Sequence, residues 1–211
     1  MNSYIRFFLE SYLELCIASM LRLEMLAFGA KQSTFHSVFC IVMLSLLVAT
    51  PLISGVWLQC KRDKLESDTF NKRFGELVFD LRIKSRMAIM YQVIFMSRRL
   101  IYAAILINWL DRNYFQIQMI ILKTSLFLIY IGSTRPYQTK LSNFVELVNE
   151  IITTICAYIL VTFSNFVLDA KTRFECGWPM VGGALFLIIF NLLIICYKMI
   201  ANLIHKCKLR C

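Results

Sequence analysis

Residues 61–86, KRDKLESDTFNKRFGELVFDLRIKSR, form the only long polar run in the chain, with eight Lys/Arg against five Asp/Glu. Strongly apolar segments lie on both sides of it. Apolar stretches long enough to cross a bilayer, flanked by unequal positive charge, are read as membrane helices with the charge-rich side in the cytosol. Once this run is placed in the cytosol, every other connection in the chain acquires a side.

The composition agrees. Fifty-nine per cent of the 211 residues are hydrophobic and the mean hydropathy is +0.65, too much apolar surface for so small a soluble body to bury. Seven Gly and three Pro exclude a collagen-like or low-complexity chain. The net charge of +10 falls mostly between apolar spans rather than on one soluble face. It therefore reads as membrane orientation, and no nucleic-acid partner is expected.

Immediately before the polar run, residues 35–60 hold no Asp, Glu, Lys or Arg. Pro51 lies inside this span and should kink it, provided a neighbour or water satisfies the carbonyl it frees. Further back, residues 4–28 are helical by period, with Arg6, Glu10, Glu14, Arg22 and Glu24 on one half of the wheel. This helix either spans with its charged face in a bundle or lies along the surface, and spanning is preferred. Within the polar run, residues 70–86 should form an amphipathic helix on the lipid headgroups, with Phe70, Phe74, Leu77, Val78 and Leu81 on one stripe. Its basic side chains, with Lys61, Arg62, Lys72, Arg73, Lys84 and Arg86 as candidates, would favour anionic lipid.

After the run, residues 87–110 form a span that must begin before Arg98-Arg99, because the eleven residues beyond reach only ~16 Å of a ~30 Å core. The arginines should snorkel to the headgroups or pair inside the bundle. Residues 114–132, 142–168 and 180–204 complete the count, joined by an inner turn at 133–141 and an outer loop at 169–179. Six spans place both termini in the cytosol. The inner segments then hold thirteen Lys/Arg and the outer ones four, the asymmetry expected of such a topology. With residues 4–28 on the surface, five spans keep the same sides for all that follows.

Intramembrane polar groups are the candidate functional residues. Asn143, Glu146, Glu150, Thr153, Thr154 and Ser164 share about a third of the fifth helix, with Asn149 and Asn165 flanking. Carboxylates facing lipid are costly, so this stripe should face protein or water. It reads as a cation path lined by Glu146 and Glu150, or as a proton-linked site. The blander reading, preferred, is a structural network in which the acids neutralise Lys123, Arg98 or Arg99. Lys123, near mid-bilayer, costs about 2.5–3.5 kcal/mol on insertion scales; Glu150 is its first candidate partner and Asp111 the last.

No P-loop, GxGxxG, HExxH or GxSxG is present, and two histidines leave no room for a catalytic triad or a zinc site. Neither an enzyme nor a cofactor nor a metal is expected. The eight cysteines form no CxxC. Cys60, Cys207 and Cys211 adjoin basic segments at helix ends and are candidates for lipidation or simply free thiols. No cleavable signal is evident, and the chain is expected to be the C-terminal part of something longer or a shortened relative of it.

Four words carry a family resemblance: Lys72-Arg73-Phe74-Gly75-Glu76, Arg98-Arg99-Leu100-Ile101-Tyr102, Arg135-Pro136-Tyr137, and Asn143-x-x-Glu146-x-x-Asn149-Glu150. In that order residues 70–166 resemble the C-terminal membrane domain of fungal TRP-like (flavin-carrier type) proteins and of large TRP-C-terminal-domain surface proteins of ciliates. The resemblance implies a channel-like or transporter-like membrane domain, often attached to a cysteine-rich ectodomain that is absent from this sequence. The expected product is an all-α polytopic membrane protein, with five or six transmembrane helices and a cytosolic interfacial helix. It would pass an ion or small solute through the lipid bilayer, as a homo-oligomer or part of a larger membrane complex. The alternative is a non-conducting anchor or assembly module of a larger surface protein.

Overall fold

The computed structural model describes residues 2–24, 31–62, 65, 74–78, 80–83, 85–164 and 167–210. Among them the fold is all-helical, the only β feature being one antiparallel bridge between Leu81 and Tyr137. Six long helices follow in order: α1 Asn2–Glu24, α2 Lys31–Cys60, α3 Tyr91–Asn108, α4 Asn113–Thr134, α5 Lys140–Ile159 and α6 Ala170–Arg210. Four segments are long and apolar enough to cross a membrane: Thr34–Cys60, Asn113–Thr134, Lys140–Phe163 and Ala170–Ala201. The chain thus has the helices of a membrane protein. Of the other two, α1 carries five charges and α3 the paired arginines.

α1 packs on α2 and α3, where Leu9, Tyr12, Cys16, Leu47, Met96 and Ala103 form one buried cluster. Pro51 sits within α2 and, lacking an N–H, leaves the Leu47 carbonyl without its helical donor. The Tyr12 hydroxyl donates to that carbonyl at 2.7 Å. The neighbour that the proline demands is therefore a phenol on α1, and it ties α1 into the bundle.

The amphipathic helix expected over 70–86 is not continuous in the described residues. Gly75–Val78 is one 3-10 turn, Asp80 takes a left-handed φ of 56°, and Leu81 pairs with Tyr137. Short polar residues tolerate that conformation best. It is held by Arg82 N–H donating to the Pro136 carbonyl and Gln138 N–H donating to that of Asp80, both at 2.8 Å. Ser85 then caps a new helical turn, Arg86–Ile89, leading into α3. Of the expected stripe, Phe74, Leu77, Val78 and Leu81 turn inward, while Phe70 lies outside the described residues: Phe74 meets the Trp57 ring edge-on at 4.8 Å, and Leu81 packs with Tyr91, Phe127 and Ile131. The described part of this segment packs against one end of the bundle. Lys72, Arg73 and Lys84 lie outside the described residues.

Three boundaries also differ. α5 tightens into a 3-10 turn, Leu160–Phe163, and breaks at an extended Ser164. The loop expected at 169–179 is helical, because Asp169 caps α6 by accepting from the Lys171 and Thr172 N–H groups; Pro179 lies inside it. α6 also continues through the expected basic tail to Arg210. It packs mainly on α5, and none of its residues from 170 to 201 is buried. At the contact, a Cβ on Gly183 would stand 3.0 Å from Cys156 Sγ, whereas one on Gly182 would meet nothing.

Candidate functional site

The polar stripe of α5 begins at its cap. Thr139 Oγ1 accepts from the Ser142 N–H, and Asn143 locks the preceding turn by donating to the Tyr137 and Thr139 carbonyls while accepting from the Tyr137 N–H. One turn on, Glu146 accepts from the Tyr91 hydroxyl at 2.7 Å, and Tyr91 in turn accepts from the Tyr137 hydroxyl at 2.8 Å. Burial and the Glu146 charge push the Tyr137 phenol well above its ordinary range, so it remains a neutral donor. A further turn on, Glu150 takes the Arg98 guanidinium at 2.5 Å. Its other oxygen, Oε2, is buried with no partner among the described residues.

Asn149 lies off this line and makes a reciprocal amide pair with Asn191 of α6, at 3.1 and 2.9 Å. Glu146 is thus held by tyrosines that the residue pattern does not name, and Glu150 by Arg98, one of the three cations it does name. Arg98 and Arg99 both turn into the bundle. Arg98 also stacks over Phe127 at 4.1 Å. Arg99 donates to the Leu9 and Glu10 carbonyls of α1 and lies over Phe95 at 4.2 Å.

Lys123 is not the partner of Glu150, which Arg98 occupies. Its ammonium sits 4.3 Å from the Tyr102 ring centroid instead, a cation–π contact. Lys61 and Arg86 are exposed, as are Cys60 and Cys207; Arg62 is half-buried, and Cys211 lies outside the described residues.

Three cavities follow one face of α3. The first, about 230 Å³, lies beside Glu10, Glu76, Gln92, Phe95 and Arg99, where Leu81 packs on the bundle. The second, about 370 Å³, shares Phe95 and Arg99 with the first and is also lined by Arg98, Lys123, Tyr102 and Thr153. The third, about 700 Å³, shares Tyr102, Ile120 and Leu160 with the second and is also lined by Asp111, Arg112 and Asn113. Neither Glu146 nor Glu150 lines any of them. A separate groove of about 400 Å³ between α3 and α4 is almost wholly apolar, with Arg98 and Lys123 on its wall.

The described residues contain no group of three His, Cys, Asp or Glu able to hold a metal. Comparison with family models, curated proteins and solved structures finds no match for this chain.

Proposed function

We propose that the chain is a polytopic membrane protein of six spans that passes an ion or small solute along α3, in the manner of a TRP-like channel or transporter domain. The row of three cavities carries this reading. Gln92, Phe95, Arg99, Tyr102 and Leu106 recur every three or four residues and so share one helix face. From Gln92 to Leu106 that face rises about 21 Å, and the outer two cavities extend it toward the ~30 Å of a hydrocarbon core. Phe95 with Arg99, and Tyr102 with Leu160, stand at the two junctions as constrictions. On the positive-inside argument the end beside Glu10, Glu76 and Gln92 faces the cytosol.

The acids of α5 serve the bundle rather than the path: both are held by donors from α3, and neither reaches a cavity. Ion flux through the purified chain in liposomes tests the reading. Phe95→Ala with Tyr102→Ala should raise flux by widening both junctions. Well-folded protein that stays impermeable with both widened would sink it.

A second reading is favoured by α6, much of whose apolar surface away from α5 is left exposed by the described residues. That surface suits a non-conducting anchor or assembly module, packed against lipid, further copies or a larger surface protein. Pull-down of a stable partner by a flux-silent chain would support it.

A further inference from the structure

We infer that the middle cavity is a seat for a small oxyanion, a free carboxylate or phosphate of a few heavy atoms. This names the class of solute for the path proposed above and rests on that reading. Three cationic side chains line the cavity, Arg98, Arg99 and Lys123, and no Asp or Glu does. Only Arg98 has a carboxylate, Glu150. Arg99 is bonded to neutral carbonyls, and Lys123 faces a neutral ring. The nearest acid of α1, Glu10, binds Arg6 at 3.0 Å instead. Among the described residues neither Arg99 nor Lys123 has a carboxylate at ion-pair distance, and Glu10 and Glu150 act on them only from further off, in surroundings where an incompletely compensated charge is costly.

The neutral donors do not compete for a ligand. The Thr124 and Thr153 hydroxyls give their protons to carbonyls of their own helices, Thr124 to Ile120 and Ile121, Thr153 to Asn149. What the cavity offers is a planar guanidinium fork, which suits carboxylate and phosphate, beside a point-charge ammonium. Phe95 and Tyr102 complete the aromatic part of the lining and carry the Arg99 and Lys123 heads over their rings. A volume of about 370 Å³ lies near the small end of the ~300–1,000 Å³ range of ligand sites. Cations are repelled at the same place, so the middle cavity favours anions over cations.

The full chain in nanodiscs of phosphatidylcholine is titrated with acetate and with acetamide, which has the same shape without the charge, and thermal unfolding is followed. Acetate should stabilise saturably and acetamide should not. Lys123→Gln should weaken acetate by about tenfold, the loss of one charge-assisted contact. In planar bilayers under an acetate gradient, the wild-type reversal potential should lie on the anion side. Equal responses to acetate and acetamide overturn the seat. So does an acetate response unchanged in folded Lys123→Gln. If that variant does not fold, the wild-type acetate/acetamide contrast decides alone. Should phosphatidylglycerol nanodiscs stabilise the protein and abolish the acetate response, the cavity holds a lipid headgroup and the free-solute seat is overturned. Flux without anion preference removes this inference and leaves permeation standing, whereas acetate binding without flux leaves the seat and removes the path.

Discussion

Tyr12→Phe is the sharpest test of how this bundle closes. Pro51 has no N–H, so the Leu47 carbonyl four residues earlier loses its helical donor. The Tyr12 hydroxyl, 2.7 Å away, replaces it. Tyr12 is fully buried and Leu47 is 2% exposed, so water does not substitute readily. Deleting the hydroxyl orphans a buried carbonyl, at about 1–3 kcal/mol. Interhelical bonds in bilayers average about 0.6 kcal/mol, because the unfolded chain also finds partners. An expected loss of about 1–2 kcal/mol follows, a factor of roughly 5–30 in the folded ratio. The decisive comparison uses Pro51→Ala, which returns an N–H to position 51 and with it a donor for Leu47. Reversible unfolding in detergent or bicelles should show Tyr12→Phe costing much less in the Pro51→Ala background. An equal cost in both backgrounds would refute the carbonyl argument and leave Tyr12 as packing only.

Other outcomes follow from the same contacts. Glu150→Gln strands Arg98 inside the bundle and should cost about 3–5 kcal/mol. Arg98→Met in the same chain should recover most of it, while Lys123→Met should not, as read by a double-mutant cycle. Gly182→Leu should be nearly neutral, whereas Gly183→Leu should part α5 from α6 at about 1–3 kcal/mol; cross-linking between the two helices reports which. Asn191→Ala should lose about 0.6–2 kcal/mol by leaving Asn149 unpaired, measurable in the same unfolding assay. The Thr172 hydroxyl and the N–H groups of Thr172 and Lys171 hold the Asp169 carboxyl below its ordinary value of 3.8. The depressed group supports the first turn of α6 above that value and loses it as pH falls through the lowered one. Amide exchange there should quicken only in strong acid in the wild type, and already at neutral pH in Asp169→Ala.

Helices are legible in this chain because apolar length and charge placement are local properties. The span after Thr34 and those ending near Thr134 and Phe163 can be read from residue order. So can the need of Pro51 for an outside donor, and the burial of the α5 stripe. Local pattern misled where a non-local partner intervened. The residues 70–86 carry a helical stripe in the sequence, yet Asp80 and Leu81 pair with Arg135–Gln138 out of helix, and Phe74, Leu77, Val78 and Leu81 face the bundle. Asp169 shows the reverse, since a single cap extended α6 through an expected loop.

The sequence by itself determined that this chain is all-helical, that it suits a membrane, and which of its polar residues had to be shielded. Only the tertiary structure decided who shields whom: Arg98 rather than Lys123 at Glu150, Tyr91 at Glu146, Tyr12 at Leu47, and two cations left facing a cavity. The reason is physical. Whether a segment is apolar enough for lipid depends on its own side chains, summed along one helix. Which charge neutralises which depends on distances between helices far apart in the chain, and several acid–base pairings satisfy the same residue order until packing selects one.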